Sequence, residues 1–349
     1  MSLWLIGGVL VGFLLAFSWT SPALGFCIAI ACVGLALYWL TLEDGSNLKT
    51  WPKTSAIYAQ ALTGAFVKKK WVPDNVTDLP SDEIRLQVPI TFDGKNLAEY
   101  RKVMHMSRPY KQIPLMYFIV EPFGMSMLHM VRSLPITVLG LVLARNESEC
   151  FRPVELDEPL THSVKFSEKF RRTAKEDVEF DLIMAATDSN GFVVWRSSTT
   201  VIVLNPKRLK AAKNKKKEQP KLEPIQGEVI DTWKLEGDTG RKYAALNGDI
   251  NPIHLHPFTS KLFGFRKPIA HALYKVGRCV AALENKKGMD VVGAWKLNTE
   301  FKRPTMLPCK LKLLDQSKGC EKGTLKFCLA TEDGLKEVIT GTLVDNSKK

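Results

Sequence analysis

Hydrophobic and polar residues alternate one by one at three places in the chain: Ile84-Arg85-Leu86-Gln87-Val88, Val178-Glu179-Phe180-Asp181-Leu182 and Leu325-Lys326-Phe327-Cys328-Leu329. A period of two sends successive side chains to opposite faces, so each run predicts a half-buried antiparallel strand. Two of these strands lead into matching turns, Ala186-Thr187-Asp188-Ser189-Asn190-Gly191 and Ala330-Thr331-Glu332-Asp333-Gly334, each followed by a second apolar run. Asn-Gly and Asp-Gly reach positive φ cheaply, which makes both turns hairpin signals.

The match extends upstream of the turns. Leu139-Gly140-Leu141 leading to Phe151-Arg152-Pro153 mirrors Val292-Gly293-Ala294 leading to Phe301-Lys302-Arg303-Pro304. Before each of these stretches lies a long apolar helix candidate, residues 115–133 in the first copy and 269–284 in the second. The pattern predicts an internal duplication, with two copies of one helix followed by a meander of strands. A helix that is apolar nearly all round has to be wrapped, and a curved antiparallel sheet enclosing it meets that need. The fold class expected is α+β.

The amino-terminal end follows a different pattern. Residues 1–42 contain no Asp, Glu, Lys, Arg or His, and Ser18-Trp19-Thr20-Ser21-Pro22 divides them into two apolar runs. Each run approaches the ~17–25 residues that a bilayer helix requires. The first lacks a basic flank and the second would stop transfer, so a retained anchor is expected over residues 1–45 rather than a cleaved signal. Pro22 and Gly25 leave open one transmembrane helix or a helical hairpin. Lys49, Lys53 and Lys68-Lys69-Lys70 follow, and by the positive-inside rule the remainder faces the cytosol. The domain reading is thus an anchor at 1–45, a basic linker at 46–77, a first copy at 78–205, a Lys-rich linker at 206–226 and a second copy at 227–349. The endoplasmic reticulum fits this reading for a eukaryotic chain, but no terminal address names an organelle.

Composition narrows the class further. The 349 residues are 45% hydrophobic and 24% charged, which excludes wholesale disorder and leaves enough apolar mass for two domains. The net charge of +13 favours a polyanionic neighbour without choosing it. Residues 207–221 hold eight basic residues against one acidic, readable as an extended solvated linker or as a segment drawn to anionic lipid headgroups. No aromatic residues are interleaved with that charge, so nucleic acid is not an expected partner. Seven cysteines without a C-x-x-C pair argue against a zinc site or a disulfide framework.

Three of the six histidines fall within eighteen residues, at His254, His256 and His271. Gly248, Asn251 and Pro252 punctuate a loop, placing Asp249 and His254 on irregular backbone ahead of the second helix. A carboxylate and an imidazole five residues apart on a loop can converge on one water, with the imidazole moving a proton near neutral pH. The helix opening around residues 269–272 presents unpaired N–H groups and the positive end of a dipole, which can receive charge on a thioester oxygen. His256 reads as an exposed loop residue, and His105, His129 and His162 stand alone. Tyr274, Lys275 and Arg278 follow on the helix, their charged ends reaching solvent or an anionic substrate. Met116, Met125, Met127 and Met130 on the first helix read as core packing or as the lining of an acyl pocket.

These residues resemble the MaoC-like, R-specific enoyl-CoA hydratase family, whose hallmark is G-D-x-N-P-I-H followed by G-F-x-x-P-I-x-H-G. Gly248, Asp249, Asn251, Pro252, Ile253 and His254 fill the first part, and Gly264, Phe265, Pro268, Ile269 and His271 the second. The resemblance implies a double hotdog, two curved antiparallel sheets each wrapping a central helix, over roughly residues 78–345, with a degenerate first copy. It implies that Asp249 and His254 are the catalytic pair, with Asn251 and Gly248 in support. Ala272 and His271 would serve the oxyanion hole, and Phe265, Pro268 and Ile269 the substrate. Ala272 departs from the family's Gly. A CoA or acyl-carrier thioester is the implied substrate, interconverted between trans-2-enoyl and (R)-3-hydroxyacyl forms without cofactor or metal. Thioester hydrolysis, or acyl binding without catalysis, remains as an alternative, and a homo-oligomer is possible.

Overall fold

A computed structural model describes residues 47–108, 111–208, 222–289 and 291–347. The expected anchor, residues 1–45, and most of the Lys-rich linker lie outside the described residues. Among the described residues no helix is long and apolar enough to cross a membrane.

The first part of the chain contains β1 (Asn47–Leu48), α1 (Thr54–Val67), β2 (Glu83–Leu86), α2 (Gly94–Met104), α3 (Phe123–Ser133), β3 (Val142–Cys150), β4 (Thr161–Phe166), β5 (Arg171–Arg172), β6 (Val178–Thr187) and β7 (Val193–Val203). The second contains β8 (Glu228–Leu235), α4 (Thr239–Asn247), α5 (Pro252–Leu255), α6 (Pro257–Leu262), α7 (Ala272–Lys287), β9 (Trp295–Phe301), β10 (Cys309–Asp315), β11 (Thr324–Thr331) and β12 (Glu337–Asp345). The strands form one sheet in the order β1-β2-β4-β6-β7-β3-β9-β12-β11-β10-β8, with β5 paired to β6.

That order exposes the duplication. Read from each outer edge inward, β2-β4-β6-β7-β3 and β8-β10-β11-β12-β9 have the same connectivity, and they meet where β3 pairs antiparallel with β9. Both expected hairpins are present, β6–β7 across Asn190-Gly191 and β11–β12 across Asp333-Gly334, with positive φ at both glycines. Each repeat lays a helix, α3 or α7, in the hollow of its sheet. Twelve consecutive residues of α7, from Leu273 to Glu284, are buried, and its core face includes Val276, Cys279, Val280 and Leu283. Burial of that many side chains on all sides is what a wrapped helix requires.

Three expectations need correction. Residues 46–77 are not a linker: they form β1, which pairs in parallel with β2, and α1, whose Ile57, Tyr58 and Ala61 are buried. The lysines flank this helix, since 54–67 contains no charged residue. Lys68 even turns inward, its Nζ donating to the carbonyl oxygens of Val131 and Leu134 at 2.6 and 2.7 Å and so closing the open end of α3. The first central helix is also shorter than residues 115–133. Tyr117–Ile119 form a 3-10 turn and α3 begins only after Pro122, which has no N–H to continue a helix.

Helix α7 also differs from expectation. Lys275 and Arg278 reach neither solvent nor a ligand surface, being 3% and 5% exposed. Lys275 Nζ donates to Thr305 Oγ1 at 3.1 Å, and burial pushes its pKa down to about 8. Arg278 donates to the Met104 carbonyl and lies 4.9 Å over the Trp233 ring. Partners supplied by both repeats make these burials tolerable. The methionines Met116, Met125 and Met127 lie in the main hydrophobic core, and half-buried Met130 packs against it.

Candidate active site

The site forms where α4 ends and α7 begins. Helix α4 stops at Gly248, whose φ of 73° is left-handed and whose N–H closes on the Ala244 carbonyl at 2.8 Å. The Asp249 N–H then donates to Asn247 Oδ1 at 2.9 Å, which fixes the turn carrying the carboxylate. Asn251 caps the next helix: its Oδ1 accepts from the Ile253 N–H at 3.4 Å, and Pro252 fills the first helical position. His254 therefore sits on the single turn α5 and not on irregular backbone, as the sequence pattern implied. Helix α4 presses directly against it. A Cβ on Gly240 would stand 2.0 Å from the His254 carbonyl oxygen, so only glycine admits this approach.

Ile269 then clamps His254 from the other side. Its N–H donates to the Ile253 carbonyl at 3.0 Å, and its own carbonyl accepts from His254 Nδ1 at 2.7 Å. A carbonyl oxygen only accepts, so Nδ1 carries the proton and Nε2 keeps its lone pair. Burial, opposed by the Asp249 carboxylate, lowers the His254 pKa and keeps the ring neutral. His271 stacks on it with ring centroids 3.7 Å apart and donates from Nε2 to the Asp249 carbonyl at 3.2 Å. Its Nε2 is also 3.5 Å from Asp249 Oδ2, but this is no ion pair, since burial drives the His271 pKa down to about 3.

Ligand atoms of Asp249, His254 and His271 lie within 4.8 Å of one another, a span that one water can bridge. Among the described residues this is also the one group of histidine and carboxylate ligands tight enough for a metal ion. Ala272 is the first residue of α7, and the N–H groups opening a helix have no intrahelical acceptor. His256 caps α6, accepting from the Phe258 N–H at 3.2 Å.

The other expected residues meet this point through the backbone of Ile269, whose carbonyl holds His254. Ile269 is 8% exposed and acts through its backbone; buried Pro268 accepts from the Leu307 N–H at 2.8 Å, and half-buried Phe265 donates to the Ser260 carbonyl at 3.0 Å. None of the three lines the cleft of about 540 Å³ that opens beside Gly248 between Trp51, Thr54, Phe92, Asp93 and Glu121. One residue at the site escaped the sequence pattern altogether. Tyr58 of α1, 4% exposed, donates its hydroxyl proton to Asp249 Oδ1. The uncharged run between Lys53 and Lys68 was the available signal that this segment docks on the domain.

Comparison with known proteins bears on the fold and on the second repeat. Residues 210–338 match the family model of the MaoC like domain. In sequence the chain is similar to 3-hydroxyacyl-thioester dehydratase X of Mycobacterium tuberculosis, at 27% identity over 234 residues that make up 66% of this chain and 78% of that protein. In structure it is similar to HtdX of M. tuberculosis, with a TM-score of 0.60 and 23% identity over 75% of this chain and 98% of that one. It is also similar to a MaoC-like dehydratase from Phytophthora capsici, with a TM-score of 0.58 and 18% identity over 76% of this chain and 95% of that one. The fold is the hotdog fold, and the MaoC-like match covers most of the second repeat.

Proposed function

We propose that this chain is a double-hotdog hydratase or dehydratase that interconverts trans-2-enoyl and (R)-3-hydroxyacyl thioesters, with Asp249 and His254 as the catalytic pair. The chain is an enzyme of the hydro-lyase class. The observation that carries the reading is the His254–Ile269 hydrogen bond, which leaves Nε2 unprotonated on a ring that clusters with the Asp249 carboxylate and His271, one ligand atom of each lying within 4.8 Å of the others. In the hydration direction, Asp249 and His254 hold a water between them. Nε2 takes one proton as the oxygen joins C3 of the enoyl group. The electron pair of the double bond moves onto the thioester oxygen, where N–H groups opening α7 at Ala272 receive the charge. A proton returns to C2 and completes the addition. No redox change occurs, and the residues present carry every proton the step needs.

The thioester carrier is CoA or an acyl carrier protein. The apolar residues 1–42 would tether the enzyme to a bilayer with the hotdog repeats on the cytosolic side, and the basic segment 207–221 would add attraction to anionic headgroups. A tethered site has long-chain substrates within reach.

The test follows loss of enoyl-thioester ultraviolet absorbance by the full chain in mild detergent, with short and long trans-2-enoyl-CoA, and resolves the product with a stereospecific dehydrogenase. Release of free thiol without hydration would identify a thioesterase. Acyl-CoA binding without turnover, unchanged in Asp249→Asn, would identify a binder.

A further inference from the structure

Helix α1 belongs to neither repeat, yet it reaches the reacting centre of the second. Thr54 and Tyr58 are four residues apart and so share one face of the helix. Thr54 lies against Gly248, where a Cβ would stand 2.6 Å from its Oγ1, and Tyr58 bonds the next residue, Asp249. The docking is firm, with Ile57 and Ala61 buried at 2% and Lys68 tied to the end of α3.

The consequence lies in how the two carboxylate oxygens are used. Oδ1 of Asp249 receives the Tyr58 hydroxyl and the Asn251 N–H, the latter at 3.2 Å. Two donors leave it little capacity for a third. Oδ2 is on the histidine side, 3.5 Å from His271 Nε2. Burial and the adjacent Asp249 carboxylate push the Tyr58 phenol far above its ordinary pKa, so the hydroxyl stays protonated and acts only as a donor to the carboxylate.

We propose that Tyr58 is a positioning residue for the hydration step: its hydroxyl fixes Oδ1 of Asp249 so that Oδ2 faces the water shared with His254. This rests on the hydratase reading. The catalytic carboxylate of the second repeat is thereby aimed by a helix that precedes the first.

The test compares Tyr58→Phe, Tyr58→Gln and Lys68→Ala with the parent in the full chain, measuring kcat, KM for a trans-2-enoyl-CoA and the melting temperature. Tyr58→Phe keeps the ring and removes one donor to a charged acceptor, so kcat falls ~10- to 100-fold while KM stays within about twofold. Its melting temperature stays close to the parent's. Tyr58→Gln restores a donor without the ring and recovers part of the lost kcat, which a packing role would not allow. It also reads the proposal if the Phe variant does not fold. Lys68→Ala loosens the same helix without touching the bond: it lowers the melting temperature and leaves kcat within about threefold, as a contact remote from the carboxylate should. A Tyr58→Phe enzyme with the parent's kcat overturns the proposal, as does one whose loss lies in KM or melting temperature alone. So does a Gln variant no better than Phe. If the parent hydrates no enoyl-CoA, the hydratase reading itself fails, an outcome separate from a competent parent with an unimpaired Tyr58→Phe.

Discussion

His162 in the first repeat and His271 in the second are both buried, at 1% and 3% exposure, and burial lowers the pKa of both to about 3. By titration alone they are twins. His162 lies on β4 between Trp51 and Phe92, with ring centroids 5.0 and 5.4 Å away, and neither of its ring nitrogens finds a hydrogen-bond partner among the described residues. His271 stacks on a second histidine and donates to the residue that carries the carboxylate. The same contrast holds at the helix openings. Where the second repeat has His271 before α7, the first has Glu121-Pro122 before α3, and Glu121 Oε1 is occupied by the Tyr117 hydroxyl at 2.5 Å and the Asp93 N–H at 3.0 Å. A shifted pKa therefore reports burial. Chemistry requires in addition a partner of the right type and a lone pair left free.

Removing the partners should cost the most activity. Asp249→Asn and His254→Ala are expected to lose ~10²- to 10⁴-fold in kcat for enoyl-CoA hydration while remaining folded. His162→Leu, in the other repeat, should stay within about threefold, because neither ring nitrogen of His162 has a hydrogen-bond partner among the described residues. A His162→Leu enzyme as impaired as His254→Ala would erase the distinction between the repeats.

The next effect tests the helix opening. Ala272→Pro deletes the first N–H of α7 at a position where proline is well tolerated, since His271 has φ −57° and ψ 139°, the extended conformation required ahead of proline. Loss of one oxyanion donor is expected to lower kcat by ~10²- to 10³-fold with the melting temperature nearly unchanged. In the first repeat a proline, Pro122, stands one position earlier, at the N-cap of α3. Full activity in Ala272→Pro would move the oxyanion site away from this N–H.

Proton linkage gives a smaller effect in which the two histidines should agree. Both are neutral in the fold with a pKa of about 3, whereas an unfolded histidine titrates near 6.5. Between these values the unfolded chain binds the extra proton, so stability is intact above pH ~6.5 and falls as the pH drops, by up to ~1.4 kcal/mol per pH unit for each histidine. Denaturant midpoints measured from pH 7 to 5 should show this decline. His162→Leu should flatten it by one proton without altering turnover. Unchanged slopes in that variant would show that His162 titrates alike in both states.

Much of this architecture is legible locally. Alternation at Val178-Glu179-Phe180 and the Asn190-Gly191 and Asp333-Gly334 turns specify their strands and hairpins from neighbours alone, and the paired segments reveal the duplication because each repeat must make the same helix and sheet. Asp249 and His254 are legible because the chain brings them together over five residues. Tyr58 is not, because it meets Asp249 across 191 positions of sequence. Nor is the burial of Lys275 and Arg278, since a charged side chain reads as exposed until the remote Thr305, Met104 and Trp233 that satisfy it are in place. The break in the first helix was visible at Pro122, but the apolar run around it carried more weight in the pattern than one missing N–H.

A still weaker effect is expected at Ala272, where the hydratases that the second repeat resembles have glycine. Ala272 has no positive φ, so its position does not require glycine for conformation. What the proposed chemistry uses there is the N–H, which Ala and Gly share. Ala272→Gly should therefore leave kcat and KM within about threefold, and the added backbone freedom at a helix end should cost less than the ~1 kcal/mol of a helix interior. The comparison with Ala272→Pro separates the two atoms at issue. If Gly raised turnover tenfold or more while Pro had little effect, the Cβ methyl would be limiting the approach of the thioester and the backbone donor would be incidental. If Gly is silent and Pro is not, the backbone N–H is the atom the proposed chemistry uses at this point, and the methyl is a neutral substitution.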